Sequence, residues 1–378
     1  MKTRIVHVTS SLKIGGAEKI LCDLIEQLHT YEQYVLYIHD GPHRHELEKM
    51  GISCKKLQGI TGGLDPWIIV NLYRELKKIK PDTVHSLLWI ATLLSRLVTR
   101  LLKIYHVMAL HNNIEQDGYI RNWLDWLTIR MVMIGSGGKR YRDNYTIIVV
   151  SGQVKESAQR YIYPKEDNKY IVIHNGVDAQ RIYTRVAQST ITGDQLGLLN
   201  NNYIIGTVGR LVPVKNYELL IDLFAQIHAN YSHVRLIIVG SGPLESELRS
   251  RARKNGLEDY IIFIVGKSSF EYYHLFDCFV QPSNLEGVSM ALLEAMSCSI
   301  PCVVMSATKN KYHPVVHNGI NGLVGYGTPD FLDMMIKMVT DRTIALEYAK
   351  EGNTTVINDF SLQKMVFCYK KVFSGLSQ

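Results

Sequence analysis

Short, β-branched strands alternate with amphipathic helices along this chain, and the alternation runs through two successive halves. In the first half we predict strands at residues 4–9, 34–39, 83–85, 104–111 and 146–151, with helices at 18–28, 45–50 and 67–80. In the second half we predict strands at 203–209, 235–240, 261–265, 278–282 and 301–305, with helices at 217–229, 244–255, 271–275 and 290–297. Such alternation builds right-handed βαβ units. The sequence therefore predicts an α/β protein with two doubly wound domains and a ligand site in the cleft between them.

The boundary between the two halves is placed at the Asn175-Gly176 turn, which follows an apolar strand-like segment. A chain of 378 residues is long enough for two domains, each with its own core. We assign residues 1–177 to the first domain and 178–358 to the second. The remaining tail, 359–378, has the apolar spacing of a helix.

Composition favours an ordinary globular protein, with 46% hydrophobic and 20% charged residues. The longest apolar stretch, 87–102, is interrupted by Arg96 and Arg100, so it falls short of the roughly 18 residues that a membrane helix needs. The first residues read as a strand and not as a signal peptide. The six cysteines are scattered and show neither a disulfide framework nor a zinc pattern, which predicts a reduced, cytoplasmic protein.

Positive charge is concentrated in the first half of the chain. Residues 1–178 hold 24 of the 42 Lys and Arg residues but only 18 of the 35 Asp and Glu residues. Basic residues there are interleaved with apolar ones, namely Arg96, Arg100, Lys103, Arg121, Arg130, Lys139, Arg140 and Arg142 among Leu87, Trp89, Leu93, Leu94, Leu97, Leu101, Trp123, Trp126 and Leu127. The pattern favours peripheral contact with an anionic membrane, although a solvated face over a buried apolar stripe has the same pattern. No nucleic-acid recognition motif is present, so we expect no nucleic-acid partner.

Loops that follow predicted strands carry glycines and cations suited to a phosphorylated ligand. Arg210 and Lys215 come directly after the strand at 203–209, and a guanidinium can fork onto phosphate oxygens while an ammonium acts as a point charge. Glycines allow a close approach of the backbone to phosphate, and helix N-termini bind anions. The glycines at these junctions are Gly15, Gly16, Gly209 and Gly240. Each junction alone is equally typical of a surface turn.

Two acids, Glu286 and Glu294, bracket a turn that leads into a helix. Gly287 lets the backbone turn, and the amides of the next residues can point at an anion. These residues are Val288, Ser289, Met290 and Ala291. Because carboxylates accept hydrogen bonds from hydroxyls, the segment favours a ligand that is both phosphorylated and polyhydroxylated, such as a nucleotide-sugar. His111 ends the strand at 104–111, at the edge of the sheet where ligands bind.

The order and spacing of these segments resemble the retaining nucleotide-sugar glycosyltransferases of family four, also called glycosyltransferase group 1. The resemblance covers nearly the whole chain and rests on residues 15–18, His111, 175–178, Gly209-Arg210 with Lys215, 240–243, 277–283 and 286–294. It implies the GT-B fold, in which two Rossmann-like domains face a central cleft. It also implies that the first domain binds the acceptor, that the second binds the donor, and that the last helix crosses back to the first domain.

The resemblance implies that the donor diphosphate is bound by protein groups alone. Arg210 and Lys215 would neutralise its charge, and backbone N–H groups at Gly16 would approach the same phosphates. The family retains the anomeric configuration by same-face attack, in which the departing phosphate takes the acceptor proton. No two aspartates lie two residues apart in this chain, so the Asp-x-Asp metal motif is missing and we expect no metal or other cofactor.

The resemblance also implies roles in binding the sugar and the ribose. Glu294 would hold the ribose hydroxyls, and Glu286 would bind the hydroxyls of the transferred sugar with help from the 288–291 amides. His111 would contact the sugar near its reacting carbon. The family commonly has Gly where this chain has Ser299, and a serine suits this position only if its φ is negative, so the departure concerns the local turn and not the two glutamates.

These observations predict a retaining, metal-independent hexosyl- or N-acetylhexosaminyl-type glycosyltransferase. The donor would be a nucleotide-diphosphate sugar, with UDP-sugars ahead of GDP-mannose. The acceptor would be a glycan or a polyprenyl-linked sugar in the assembly of cell-surface polysaccharide, lipopolysaccharide or glycolipid, at the cytoplasmic face of the membrane. The alternatives left open are a nucleotide-sugar epimerase of the same fold, a soluble-acceptor synthase and a non-catalytic nucleotide-sugar-binding protein.

Overall fold

The computed structural model describes residues 2–59, 65–111, 124, 127–128, 144–161, 167–283, 286–306 and 313–375. The chain divides into two compact units, the first formed by Met1–Asn175 with Leu362–Gln378 and the second by Gly176–Ser361. The boundaries expected from the sequence are 177/178 and 358/359. No helix in the described ranges is long and apolar enough to cross a membrane.

The first unit is built on a seven-stranded parallel sheet. Its strands are β1 (Arg4–Ser11), β2 (Glu32–His39), β3 (Ser53–Lys56), β4 (Thr83–Leu87), β5 (Tyr105–Leu110), β6 (Tyr145–Val149) and β7 (Tyr170–Val172). They lie in the order β3-β2-β1-β4-β5-β6-β7. The connecting helices are α1 (Gly16–Gln27), α2 (His43–Lys49), α3 (Pro66–Ile79), α4 (Trp89–Leu102) and α5 (Gly152–Tyr161). The order of the strands reverses between β1 and β4, and doubly wound sheets bind their ligands at such a reversal.

The second unit is built on a six-stranded parallel sheet. Its strands are β8 (Tyr203–Val208), β9 (Val234–Val239), β10 (Ile261–Ile264), β11 (Cys278–Gln281), β12 (Cys302–Ser306) and β13 (Leu323–Tyr326), in the order β10-β9-β8-β11-β12-β13. Its helices are α6 (Ala179–Ala187), α7 (Tyr217–Asn230), α8 (Glu245–Lys254), α9 (Met290–Ser297), α10 (Thr328–Thr340) and α11 (Arg342–Asp359). The order of the strands reverses between β8 and β11, so the loops after these two strands flank the switch point.

The last helix, α12 (Leu362–Phe373), belongs to the first unit. Its Tyr369 and Phe373 rings lie 5.5 and 5.6 Å from the imidazole of His85 in β4, measured between ring centroids. The chain therefore returns to its first unit at its end. The predicted fold class, with two doubly wound Rossmann-like units and a last helix that crosses back, is confirmed.

Central strands are buried because helices cover both faces of each parallel sheet. In β1 the six residues between Arg4 and Ser11 are all buried. On one side, Val6 and Val8 lie in a core with residues of α3 and α4, namely Ile68, Leu72, Leu76, Ala91, Leu94 and Val98. This double burial produces the continuous apolar runs from which the strands were predicted.

One predicted helix is wrong. Residues 271–275 form no α-helix but belong to two short 3-10 turns, Ser269–Glu271 and Tyr273–Leu275. The segment is too short to propagate a helix, and its buried tyrosines were read as an amphipathic stripe. Strand β13 was not predicted at all, because four residues that include Gly325 carry almost no pattern.

Candidate functional site

The ends of β8 and β9 approach each other with no side chain between them. These strands are parallel neighbours, so Gly209 and Gly240 lie side by side just beyond them. A Cβ on Gly240 would overlap the carbonyl oxygen of Gly209, and a Cβ on Gly209 would lie 2.6 Å from the hydroxyl of Tyr217. Packing alone therefore requires glycine at both positions, whether or not a donor binds there.

Lys215 and Glu286, which are 71 residues apart, form an ion pair. Lys215 ends the 3-10 turn Pro213–Lys215, and Asn216 then adopts a left-handed φ of 56° before α7 begins. The side chains of the pair are only 18% and 21% exposed, so solvent screens their attraction weakly. The Oε1 of Glu286 contacts the ammonium, whereas its Oε2 is buried and has no hydrogen-bond partner within the described residues. A buried oxygen without a donor is costly, and a hydrogen-bond donor from a ligand would relieve that cost.

A second polar layer lies beneath this pair. Tyr217 is buried at the start of α7. Burial and then the charge of Glu286 raise the pKa of its phenol, while a hydrogen bond with Thr207 opposes them. Arg210, by contrast, is exposed, and its side chain makes no hydrogen bond or ion pair with any residue that the structure describes. Of the two cations predicted to bind phosphate, Lys215 is paired with the carboxylate of Glu286 and Arg210 is exposed.

Helix α9 follows β11 in the second unit, and its N-terminus has no side-chain cap. Ser289 is its N-cap residue but makes no side-chain cap, and the first turn contains no acidic residue. The helix therefore has an N-terminus suited to an anion. It begins at Met290, as predicted from the sequence, so Val288 and Ser289 form the approach to the helix, followed by Met290 and Ala291.

Glu294 lies one turn into α9 and is held by a tyrosine that the sequence did not identify. The hydroxyl of Tyr273 lies 2.7 Å from Oε2 of Glu294 and 3.3 Å from the carbonyl oxygen of Ala291. Nothing in the spacing of the two residues signals this contact, because Tyr273 comes from a 3-10 turn before β11. Unit two thus brings together the Lys215–Glu286 pair and the Tyr273–Glu294 pair around β8, β11 and α9.

Gly15 and Gly16 lie in the first unit, where β1 meets α1. Gly15 is the N-cap residue and Gly16 begins the helix. A Cβ on Gly15 would overlap the carboxylate of Glu18, which folds back over this end of the helix. A phosphate bound here would have that carboxylate beside it.

His111 follows β5 in the first unit, as predicted from the sequence. Burial lowers the pKa of its imidazole to about 4, and the nearby side chain of Asn175 partly offsets this effect. Neither ring nitrogen makes a hydrogen bond to a protein group in the described part of the chain. The ring is therefore neutral at pH 7.

Ser299 does not have the negative φ that would suit a serine. Its φ is +54°, in the left-handed region. The backbone N–H of Ser299 donates to Met296 O and that of Ile300 to Ala295 O, which together form a Schellman motif at the end of α9. The helix therefore ends in the turn that glycine normally makes, and the left-handed conformation is sterically unfavourable for the serine.

Replacing Ser299 by glycine is expected to stabilise the protein by about 0.5–1 kcal/mol, because the left-handed strain outweighs the extra flexibility of glycine in the unfolded chain. Urea denaturation followed by circular dichroism measures the change. The same replacement at exposed Ser250, inside α8, should instead cost about 0.5 kcal/mol. If Ser299→Gly destabilises the protein, the inference that the backbone at Ser299 is strained is wrong.

The basic cluster of the first half is only partly visible. Arg96 is buried, and its guanidinium donates to Met108 Sδ and Thr128 Oγ1, so the interpretation of this residue as a surface charge is wrong. Leu101 and Lys103 are exposed. The remaining members Arg121, Trp123, Trp126, Arg130, Lys139, Arg140 and Arg142 lie outside the described residues.

Two family models together match most of the chain. The model described as glycosyltransferase family 4 matches residues 14–181, and that of the glycosyl transferases group 1 matches residues 190–354. Each match coincides with one of the two units.

Individual relatives match over about two thirds of the chain or more. The UDP-Gal:alpha-D-GlcNAc-diphosphoundecaprenol alpha-1,3-galactosyltransferase of Escherichia coli is 24% identical over 98% of this chain and 97% of its own length. The alpha-monoglucosyldiacylglycerol synthase of Acholeplasma laidlawii is 24% identical over 66% of this chain and 64% of its own. The crystal structure of Anabaena Alr3699/HepE in complex with UDP-glucose superposes with a TM-score of 0.82 at 19% identity, covering 98% of this chain and 99% of that one. With both family models and the fold in agreement, the chain belongs to the group 1, family 4 glycosyltransferases of the GT-B fold.

Proposed function

We propose that this glycosyltransferase is retaining and metal-independent, and that it moves a sugar from a nucleotide-diphosphate sugar to a glycan or polyprenyl-linked acceptor in the assembly of cell-surface polysaccharide or glycolipid. The observation that carries the proposal is the Lys215–Glu286 pair. It puts a phosphate-binding cation in contact with a hydroxyl-binding carboxylate. A ligand whose sugar is bonded directly to a diphosphate engages both groups at once.

The donor diphosphate would bind where cations and helix amides converge. Lys215 and the exposed Arg210 supply positive charge, and the uncapped N-terminus of α9 supplies N–H groups from the 288–291 segment. Glu286 turns its unpaired Oε2 to the hydroxyls of the sugar, and Glu294 takes those of the ribose. The remaining donor contacts proposed are backbone contacts at Gly15, Gly16, Gly209 and Gly240.

Catalysis would follow from charge that is fixed before the reaction. As the bond between the sugar and the phosphate breaks, negative charge grows on the diphosphate, and Lys215 with Arg210 stabilises it without a metal ion. Same-face attack lets the departing phosphate accept the proton of the acceptor, so that configuration is retained. Neutral His111 would contact the sugar near its reacting carbon without adding charge.

Two relatives support a UDP-sugar donor and a lipid-linked acceptor. The Escherichia coli relative is named for UDP-Gal and a diphosphoundecaprenol-linked acceptor, and HepE was crystallised with UDP-glucose. We propose the same chemical classes here. Whether a hexose or an N-acetylhexosamine is transferred is decided by the test below.

A donor panel tests the proposal. UDP-, GDP-, ADP- and dTDP-sugars are incubated with the protein in EDTA, and hydrolysis is measured without acceptor and transfer with polyprenyl-linked acceptor. We expect one donor to turn over in EDTA with retained anomeric configuration by NMR. Lys215→Ala should slow turnover by about 10²- to 10³-fold, because it removes a preorganised cation, whereas Lys254→Ala on exposed α8 should not.

Each contrary outcome has its own meaning. Turnover abolished by EDTA would contradict metal independence, and an unchanged rate in Lys215→Ala would contradict the assigned role of that lysine. Donor binding without any turnover, with acceptor present, would instead support a non-catalytic nucleotide-sugar-binding protein. An epimerised donor among the products would identify an epimerase.

We also propose that the first unit rests on an anionic membrane. Trp67 is 51% exposed on α3 and Leu101 is 70% exposed on α4. Exposed Arg74 and Lys78 lie at helical spacing from Trp67, so one face of α3 combines an aromatic ring with cations.

Binding to phosphatidylglycerol vesicles at low salt is therefore expected, with release as salt screens the charges. Co-sedimentation measures it, and phosphatidylcholine vesicles are the control. The double variant Arg74→Glu/Lys78→Glu should lose binding but keep the hydrolysis of soluble donor. Failure of the wild type to sediment with anionic vesicles at low salt would remove the membrane from the proposal.

A further inference from the structure

Tyr273 is a fully buried tyrosine whose side-chain hydroxyl reaches the proposed donor site. Its ring is 0% exposed and packs edge-on against Phe276, with centroids 5.7 Å apart. The hydroxyl leaves this aromatic cluster and meets α9 at two atoms, Oε2 of Glu294 at 2.7 Å and the carbonyl oxygen of Ala291 at 3.3 Å. An aromatic ring locked on all sides gives its hydroxyl one position, so the partner of that hydroxyl is fixed as well.

The proton of this hydroxyl lies toward Glu294. Burial and then the negative charge of Glu294 raise the pKa of the phenol, so Tyr273 stays protonated at any working pH. A phenol has one proton to donate, and the carboxylate oxygen is both closer and charged, whereas the carbonyl of Ala291 is more distant. Tyr273 is therefore the donor of a charge-assisted hydrogen bond, and one oxygen of Glu294 is anchored by it.

Anchoring one oxygen of a glutamate restricts the plane and direction of the whole carboxylate. A partly buried glutamate without an anchor samples several rotamers, and a ligand that needs one of them must overcome that loss of entropy. A fixed carboxylate discriminates more sharply between a ligand that offers a hydroxyl and one that does not, because the missing hydrogen bond cannot be replaced by a shift of the side chain.

We propose that Tyr273 is a positioning residue that, through Glu294, sets the preference of the donor site for ribonucleotides over deoxyribonucleotides. The proposal rests on the proposed role of Glu294 in holding the ribose. It predicts that Tyr273 affects the recognition of one hydroxyl of the ligand more than it affects overall affinity. A tyrosine that merely filled the core would lower stability without changing which nucleotide is preferred.

The experiment compares the binding of UDP and 2′-deoxy-UDP by calorimetry, with GDP and 2′-deoxy-GDP as a second pair. The wild type should bind the ribonucleotide at least about tenfold more tightly, the loss expected for one hydrogen bond to a charged group. Tyr273→Phe keeps the ring and removes the hydroxyl, and it should reduce the ratio to about threefold or less. Tyr272→Phe is the matched control, because Tyr272 is also buried but its hydroxyl makes no hydrogen bond within the described ranges.

A double-mutant cycle separates positioning from packing. The quantity compared is the ratio of the affinities for the ribonucleotide and the deoxyribonucleotide. If Tyr273 acts through Glu294, the double variant Tyr273→Phe/Glu294→Gln should have the same ratio as Glu294→Gln alone. A wild-type ratio in Tyr273→Phe would overturn the inference while leaving the proposed role of Glu294 intact. A wild type that binds both nucleotides equally would contradict that role itself, and the inference with it. Because a ratio is measured on folded protein only, a partly destabilised variant still gives the answer.

Discussion

Acidification below pH 6.5 is expected to unfold the first unit before the second. Among the residues that the structure describes, burial lowers the pKa values of four imidazoles in the first unit and of two in the second. The four are His7, His85, His106 and His111, and the two are His228 and His313. The pKa falls from 6.5 to about 4 in His7 and to about 3 in His106.

Geometry explains why these rings resist protonation. His7 in β1 and His85 in β4 are register partners, and their Nδ1 atoms lie 2.9 Å apart, so one ring donates a proton and the other must accept it. Protonating both would point two N–H groups at each other. His106 is bonded to Ser86 Oγ through Nε2 and lies near the cation of Arg96, whose charge lowers its pKa further after burial.

The sign follows from which state binds protons. Between pH 6.5 and about 4 the unfolded chain protonates these histidines and the folded chain does not, so stability is complete above pH 6.5 and is lost as pH falls. Each group removes about 1.4 kcal/mol of unfolding free energy per pH unit in this window. Together, His7, His106 and His111 remove about 4 kcal/mol by pH 5.5, and His85 acts in the same direction. This loss approaches the lower end of the stability of a typical domain.

Tryptophan fluorescence measures the first unit selectively, because all four tryptophans lie between residues 67 and 126. The midpoint of its acid transition should lie at higher pH than the midpoint of the far-UV circular dichroism transition, to which both units contribute. His45→Gln is the control, since this side chain is 67% exposed and should leave the midpoint unchanged. Fluorescence that stays flat from pH 7 to pH 4.5 would show that the buried imidazoles do not control stability.

Replacing Gly240 by alanine is expected to cost at least about 3 kcal/mol and to abolish donor binding. The new Cβ would overlap the carbonyl oxygen of Gly209. Neither backbone segment can retreat freely, because Gly209 N donates to Val239 O and Gly240 N to Ile264 O, both at the sheet edge. Removing this overlap therefore requires breaking the hydrogen bonds at the strand ends that position Arg210.

Urea denaturation of the second unit, followed by circular dichroism, measures this cost. Gly256→Ala is the matched control, because Gly256 has a φ of +68° but its Cβ would meet nothing within 4 Å. It should lose only about 1 kcal/mol, the backbone cost alone. Equal losses in the two variants would mean that Gly209 and Gly240 do not approach as closely as described.

How far the sequence predicts this protein depends on whether a feature is local. Strand β5, Tyr105–Leu110, was predicted at 104–111, because a strand buried on both faces is apolar without interruption. The 271–275 helix was wrong because five residues with buried tyrosines fit a helical stripe and a packed turn equally well. The sequence left the turn at Ser299 open, and the structure shows that the helix end adopts the left-handed conformation although a serine disfavours it.

The site shows the same limit. Arg210, Lys215, Glu286 and Glu294 could be selected from the sequence because each follows a strand or begins a helix. That Lys215 touches Glu286 could not be predicted, since the contact depends on the packing of β8 beside β11. Tyr273 was missed for a related reason, because a buried tyrosine near an aromatic cluster looks like core until its hydroxyl is seen to meet Glu294.

The return of α12 to the first unit orders events during synthesis. Tyr369 and Phe373 cover His85, so the first sheet lacks part of its cover until α12 leaves the ribosome. At about 5–20 residues per second, the second unit takes on the order of ten seconds to be made in between. Throughout that interval the nascent first unit exposes the buried imidazole face of β1 and β4. The unit that is translated first is therefore the one that matures last.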